Sequence, residues 1–150
     1  MAGTYTNLLF HIVFSTKERR RLITPLIEPE LYKYIGGIVR NLEGDLLEAN
    51  GDMDHVHLLT KLKPKFSLSD VIRDIKANSS GWLNERKRGL HKFGWQDGFA
   101  AFTVSESQVP RIAGYIRNQR NRHKKIDYKT ELLELLLRNK VSFEERYLWR

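Results

Sequence analysis

At 150 residues, with 41% hydrophobic and 29% charged side chains, the chain reads as a single globular domain spanning 1–150, long enough for a proper hydrophobic core and too short to promise two domains. It has no cysteine, which excludes disulfide frameworks, thiolate zinc sites and cysteine nucleophiles and leaves His, Asp, Glu, Asn and Gln as the available metal ligands. A formal charge of +8 and a pI near 9.8 favour a polyanionic partner, nucleic acid first, and the absence of an apolar run near ~20 residues argues against a membrane span and for a cytoplasmic location.

Leu8 to Phe14 (LLFHIVF) is short, nearly continuously apolar and rich in β-formers, which predicts a central strand. The basic loop KERRR, Lys17 to Arg21, follows it. Beyond Pro25 and Pro29, Leu31, Ile35, Ile38, Val39 and Leu42 recur at helical spacing, with Gly44 as the expected stop. Leu46 to Asn50 and His55 to Leu62 predict two strands joined as a hairpin at Gly51-Asp52, and Pro64 ends the second. Ser67 is a cap for a helix that buries Leu68, Val71, Ile72, Ile75, Trp82 and Leu83 and stops near Gly89. After Gly94, Trp95 and Gly98, Phe99 to Val104 predicts a fourth strand. Strand, helix, strand, strand, helix, strand is the ferredoxin-like or RRM-like order: an α+β fold whose four-stranded antiparallel sheet carries two helices on one face and leaves the other free for a site or further elements. Val109 to His123 and Thr130 to Lys140 supply additional C-terminal helices, and Ser142 with Glu145 predicts a capped final turn. Leu132, Leu133, Leu135, Leu136 and Leu137 exceed one narrow stripe, which suits either a second copy or packing within the chain.

In DHVHLLTKL, His55 and His57 stand two apart on a predicted strand, so both imidazoles project from one face while Val56 and Leu58 point to the other. Such a pair suits either a metal or a purely structural role, and a third ligand decides between them. The segment from Pro110 to Lys125 carries six Lys or Arg and no acidic residue, the densest positive stretch in the chain. On a helix, Arg111, Tyr115, Gln119 and His123 form one polar line beside an apolar stripe of Val109, Ile112 and Ile116. An isolated tyrosine there is ordinarily an amphipathic anchor. Gln119, one turn away, offers an oxygen to a cation, and Gly114 permits close approach of a neighbour, so the combination suggests a nucleophile beside a metal.

DHVHLL, WQDGFAAFTVSESQ and YIRNQRNRH, together with the opening YTNLLFHIVFSTKERR, DIKANSSGWL and the closing FEERYLW, resemble the single-tyrosine HUH transposases, the minimal transposases of prokaryotic insertion sequences, whose relatives include the REP-associated tyrosine transposases. The resemblance runs nearly end to end. It implies that His55 and His57 are the two HUH metal ligands, that Gln119 is the third, and that Tyr115 is the catalytic nucleophile on DNA. Members often carry two adjacent histidines after the glutamine, where this chain has Arg122-His123.

The implied chemistry is cleavage and rejoining of single-stranded DNA through a 5′-phosphotyrosine, assisted by a divalent metal. Two imidazoles alone favour zinc or another softer ion, whereas the resemblance implies magnesium or manganese. It also implies DNA with hairpin ends and a homodimer in which each tyrosine helix completes the partner's site. For DNA contacts the basic residues singled out are Lys17, Arg19, Arg20, Arg21, Lys76, Arg111, Arg117, Arg120, Arg122 and Lys124. Two rival readings are a ferredoxin-like RNA-binding module using an open sheet face with Phe10 or Phe102, and a host-retained regulator that binds DNA hairpins.

Overall fold

The structure, a computed structural model, describes residues 2–86 and 92–149. Along the chain run β1 (Leu8–Ser15), α1 (Glu28–Asn41), β2 (Asp45–Asp52), β3 (His55–Leu62), α2 (Leu68–Arg86) and β4 (Ala100–Val104), followed by α3 (Val109–Arg117), α4 (Gln119–Arg122), α5 (Tyr128–Arg138) and α6 (Glu145–Leu148). The strands pair antiparallel in the order β2-β3-β1-β4, so the predicted ferredoxin-like architecture is the one observed. The point where the second helix ends, expected near Gly89, lies outside the described residues.

The two-residue period of a strand sorts the central pair onto two faces. Ile12, Phe14, Val56 and Leu58 turn toward α1 and α2, where they meet Leu31, Ile35, Val39, Val71, Ile72 and Ile75 in the main core. Each such fully buried aliphatic or aromatic chain contributes about 1.5–3 kcal/mol of hydrophobic stabilisation. Tyr34 and Trp82 stack between the two helices with ring centroids 4.4 Å apart. The opposite face is not open. Val13 and Phe102 are buried there against Tyr128, Leu132, Leu135 and Leu136 of α5, forming a second core. The leucine-rich segment is therefore used largely within the chain, with Leu137 left exposed, and Phe102 is covered rather than displayed as a stacking platform. Phe10 packs against the main core on the other face.

Local details depart from the sequence reading for identifiable reasons. Gly51 and Asp52 do not form the hairpin turn; they stay in the ladder opposite Val56 and His55, and Met53 and Asp54 make the turn. Gly51 is instead required by close approach, since a Cβ there would lie 2.1 Å from the carbonyl oxygen of His55. At the end of α1 the left-handed residue is Glu43 (φ 63°), and a Cβ on Gly44 would come 2.8 Å from the Lys61 carbonyl oxygen. The Ser67 cap forms as expected, its hydroxyl accepting from the Asp70 amide at 3.0 Å. The helix read from Val109 to His123 is broken at Asn118 (φ −90°, ψ 13°) into α3 and α4. Asp127 caps α5 by accepting from the Thr130 amide at 2.9 Å, whereas no side chain caps α6, so Ser142 does not play that part.

Candidate active site

β3 is an inner strand, paired with β1 on one side and β2 on the other, and it holds His55 and His57 fully buried on the face that α3, α4 and α5 cover. The outer nitrogen of each ring is already engaged. Asp54 accepts from Nδ1–H of His55 at 2.7 Å, and His57 Nδ1 meets Nε2 of buried His11 at 2.8 Å. These contacts fix the ring orientations so that both Nε2 atoms point inward, the arrangement by which a neighbouring carboxylate or imidazole orients a metal-binding histidine.

The C-terminal helices bring the partners. Gln119 is fully buried at the start of α4, with Oε1 3.0 Å from His55 Nε2. Tyr115, on the last turn of α3, is partly buried, and its hydroxyl donates to Oε2 of Glu131 on α5. His55, His57, Tyr115 and Gln119 thus meet in one place, as the sequence suggested. Glu131, which sequence reasoning missed, lies at their centre: Oε1 is 3.1 Å from His57 Nε2, 3.3 Å from His55 Nε2 and 2.8 Å from His123 Nε2, and Gln119 Nε2 donates to Oε2 at 2.8 Å. The signal was present, because Glu131 falls on the same helical stripe as Tyr128, Leu132 and Leu135 and is buried with them. His11 was equally legible as a lone imidazole inside the apolar run LLFHIVF.

Charge is distributed unevenly among these groups. Burial disfavours ionisation of Glu131, but His123, His55 and His57 hold its carboxyl far below the usual carboxylate range. Burial works against charge on His55 too, yet Asp54 and Glu131 outweigh it and raise its pKa to about 9. His57 is pushed down to about 4 and His11 to about 3, in both cases chiefly by burial. Burial and then the Glu131 charge hold the Tyr115 phenol above its ordinary pKa.

This arrangement calls for positive charge at its centre. With Nδ1–H of His55 given to Asp54, a neutral ring would turn only a lone pair toward Gln119 Oε1 and Glu131 Oε1, at 3.0 and 3.3 Å. A proton or a cation must lie between them. The ligand atoms of His55, His57 and Glu131 are all within 4.8 Å of one another, a spacing that suits a bound metal ion. The residues present therefore fit a divalent cation.

The expectation that Gly114 admits a close neighbour is not met within the chain: a Cβ there would meet only the Arg117 guanidinium, at 3.9 Å. Arg122, singled out from the sequence for DNA contact, and His123, the last residue of the polar line, both reach the site. Arg122 lies 5.2 Å over the Tyr115 ring and 3.4 Å from Glu131 Oε2, while His123 holds Oε1. Beside Tyr115 opens a cavity of about 340 Å³ lined by His11, Phe102, Gln108, Arg111, Tyr115 and Arg138 among others.

The basic residues singled out for DNA are engaged in different ways. Arg117, Arg120 and Arg122 pair with Glu48, Glu28 and Glu134 at 2.8, 2.5 and 2.7 Å, and Arg20 lies 3.4 Å from Glu18. Lys76 is committed inward: its ammonium donates to the carbonyls of Gln96, Asp97 and Gly98, and burial lowers its pKa to about 8. Arg19 lies over the Trp149 ring, Arg21 reaches Met53 Sδ and Arg111 donates to Gln108, while Lys17 and Lys124 are exposed. The tyrosine helix of a single chain reaches its own histidines, so no exchange with a second copy is needed to bring these groups together. Among the described residues no helix is long and apolar enough to cross a membrane.

Known proteins resemble this chain in sequence and in fold. The profile of the family described as IS200-like transposase matches residues 4–119. Transposases for insertion sequence element IS200 from Salmonella typhimurium and Salmonella typhi are each 31% identical to the chain over 128 residues, covering 79% of it and 81% of the relative. Among solved structures, a candidate transposase from Deinococcus radiodurans R1 superposes with a TM-score of 0.63 at 23% identity, over 79% of this chain and 95% of that one. A REP-associated tyrosine transposase bound to a REP hairpin gives a TM-score of 0.60 at 16% identity, over 84% and 74%. At those identities the structural likeness speaks for the fold, and the sequence matches carry the classification: the chain belongs to the IS200-like transposase family.

Proposed function

We propose that this transposase cleaves and rejoins single-stranded DNA by the single-tyrosine HUH route, with His55, His57 and Gln119 holding magnesium or manganese and Tyr115 as nucleophile. The observation that carries the reading is the meeting of the Tyr115 hydroxyl and both inward imidazoles on one buried carboxylate. A cation held there supplies Lewis-acid polarisation of the scissile phosphate. Tyr115 Oη attacks phosphorus as its proton passes to the Glu131 carboxylate it is hydrogen-bonded to, the P–O3′ bond breaks, and the departing oxygen takes up that proton to become a 3′-hydroxyl. The DNA 5′ end stays on the tyrosine, and attack by another 3′-hydroxyl reverses the step and restores the phenol. Glu131 holds the phenol proton before attack, and Arg122 over the ring offsets the charge that develops on it. α5 screens the imidazoles from water, which protects the covalent intermediate from hydrolysis.

The REP hairpin carried by one structural neighbour supports substrates with hairpin ends for this chain too. The family resemblance carries the proposal of a homodimer, and within one chain the tyrosine already reaches its own site. To test the reading, the chain is incubated with single-stranded DNA from its own gene flanks and magnesium or manganese, and a denaturation-resistant adduct is sought. The wild type forms the adduct on the peptide containing Tyr115, and Tyr115→Phe binds DNA without forming it. Adduct formation by the Phe variant, or attachment at Tyr128 or Tyr147, would overturn the assignment.

A further inference from the structure

Glu131 touches every group that the cleavage reading uses, and that reading leaves it without a place in the cation's coordination. Its two oxygens face different ways. Oε1 is turned to the imidazoles of His55, His57 and His123 at 3.3, 3.1 and 2.8 Å, while Oε2 accepts from the Tyr115 hydroxyl and from Gln119 at 2.8 Å. The carboxylate is fully buried on a stripe otherwise made of Tyr128, Leu132, Leu135 and Leu136. An isolated buried charge is costly, and packing alone would be better met by an apolar side chain.

We propose that Glu131 serves the site twice: Oε1 as a further ligand for a hard divalent cation, and Oε2 as the acceptor that positions Tyr115 beside it. This rests on the cleavage reading above. Two imidazoles and an amide oxygen make a neutral set suited to softer ions, whereas a carboxylate oxygen adds the hard, charged donor that magnesium and manganese prefer. It also resolves the conflict between the histidine pair and a hard metal. Because one carboxylate spans both partners, the nucleophile and the cation are set relative to each other by a single side chain on α5 rather than by α3 alone. Glu131 is thus a ligand and a positioning residue.

The test measures Mn2+ binding by the full chain without DNA, from the paramagnetic resonance signal of the free ion. Glu131→Gln, which keeps the shape and removes the charge, is expected to weaken binding at least about tenfold, the scale seen when groups around a metal are lost. Glu131→Asp keeps the charge and recovers part of the loss, and Tyr115→Phe leaves affinity unchanged. At saturating Mn2+, Glu131→Gln forms the Tyr115 adduct more slowly with the same half-saturating DNA concentration. Unchanged or tighter Mn2+ binding by Glu131→Gln overturns the proposal. Loss of binding in His57→Ala but not in Glu131→Gln overturns the proposal and leaves the underlying reading standing; undiminished binding in both sinks the underlying reading. Should the Glu131 variants fail to fold, wild-type crystals soaked in Mn2+ decide: an anomalous peak about 2.1 Å from Glu131 Oε1 supports ligation, and a carboxylate swung away from the ion refutes it.

Discussion

Individual positions in this chain carry unequal weight, and two glycines show it. At Gly51 any side chain would drive a Cβ into the His55 carbonyl, beside a candidate ligand. Gly51→Ala is therefore expected to cost about 1–3 kcal/mol, the usual penalty for forced overpacking, and to lower cleavage with it; the midpoint of urea unfolding and adduct yield measure both. Gly114 meets nothing nearer than 3.9 Å, so Gly114→Ala should stabilise α3 by up to about 1 kcal/mol through helix propensity. A stable Gly114→Ala variant that has lost adduct formation would show instead that DNA or a second copy approaches that face. His57→Ala should reduce cleavage more than about 100-fold while circular dichroism still reports a folded chain, since losing a ligand exceeds the loss of its supporting groups. Retained cleavage would remove His57 from the site.

At the scale of elements, what the sequence displayed was periodicity. The apolar run of β1, the alternation that put His55 and His57 opposite Val56 and Leu58, and the stripes of α1 and α2 are all local patterns, and each appears in the structure. What it concealed depends on distant packing. Gly51-Asp52 looks like a turn, but the ladder runs through it because β3 approaches too closely for any other residue. The break at Asn118 leaves no composition signal, yet it lets Gln119 turn into the site while Tyr115 faces Glu131. Glu131 stands on the stripe of Tyr128, Leu132 and Leu135, but the imidazoles it meets there are set only when α5 docks on the second face of the sheet. The docking of α5 is partly local in origin, through its cap. Asp127→Ala should lower stability by about 1 kcal/mol in urea unfolding and weaken Mn2+ binding in parallel. Unaltered stability would mean the cap contributes nothing.

For the whole molecule, fewer cations are free to meet phosphate than the 26 Lys and Arg imply, because Arg117, Arg120 and Arg122 are paired with Glu48, Glu28 and Glu134 and Lys76 is turned inward. If about five of the remaining cations meet phosphates, affinity for single-stranded DNA should fall with salt at a log–log slope near −3.5, from roughly −0.7 per contact. A slope near zero would count against the basic surface. Assembly is tested by mixing Tyr115→Phe with His57→Ala chains. Since one chain completes its own site, verified heterodimers should show no recovered cleavage, and recovery would establish that α3 crosses between copies. The placement of β3 between two strands has a further consequence, in time rather than in space. Its amides are locked on both sides, whereas α3 and the single turn of α4 are held mainly by side chains, so the two halves of the site should open at different rates. In hydrogen exchange the amide of His57 should be among the last to take up deuterium and those of Tyr115 and Gln119 among the earlier ones. The histidines would then stand ready while the tyrosine comes and goes, and it is the slower return of that helix, not the readiness of the sheet, that would set how often the enzyme is poised to cut.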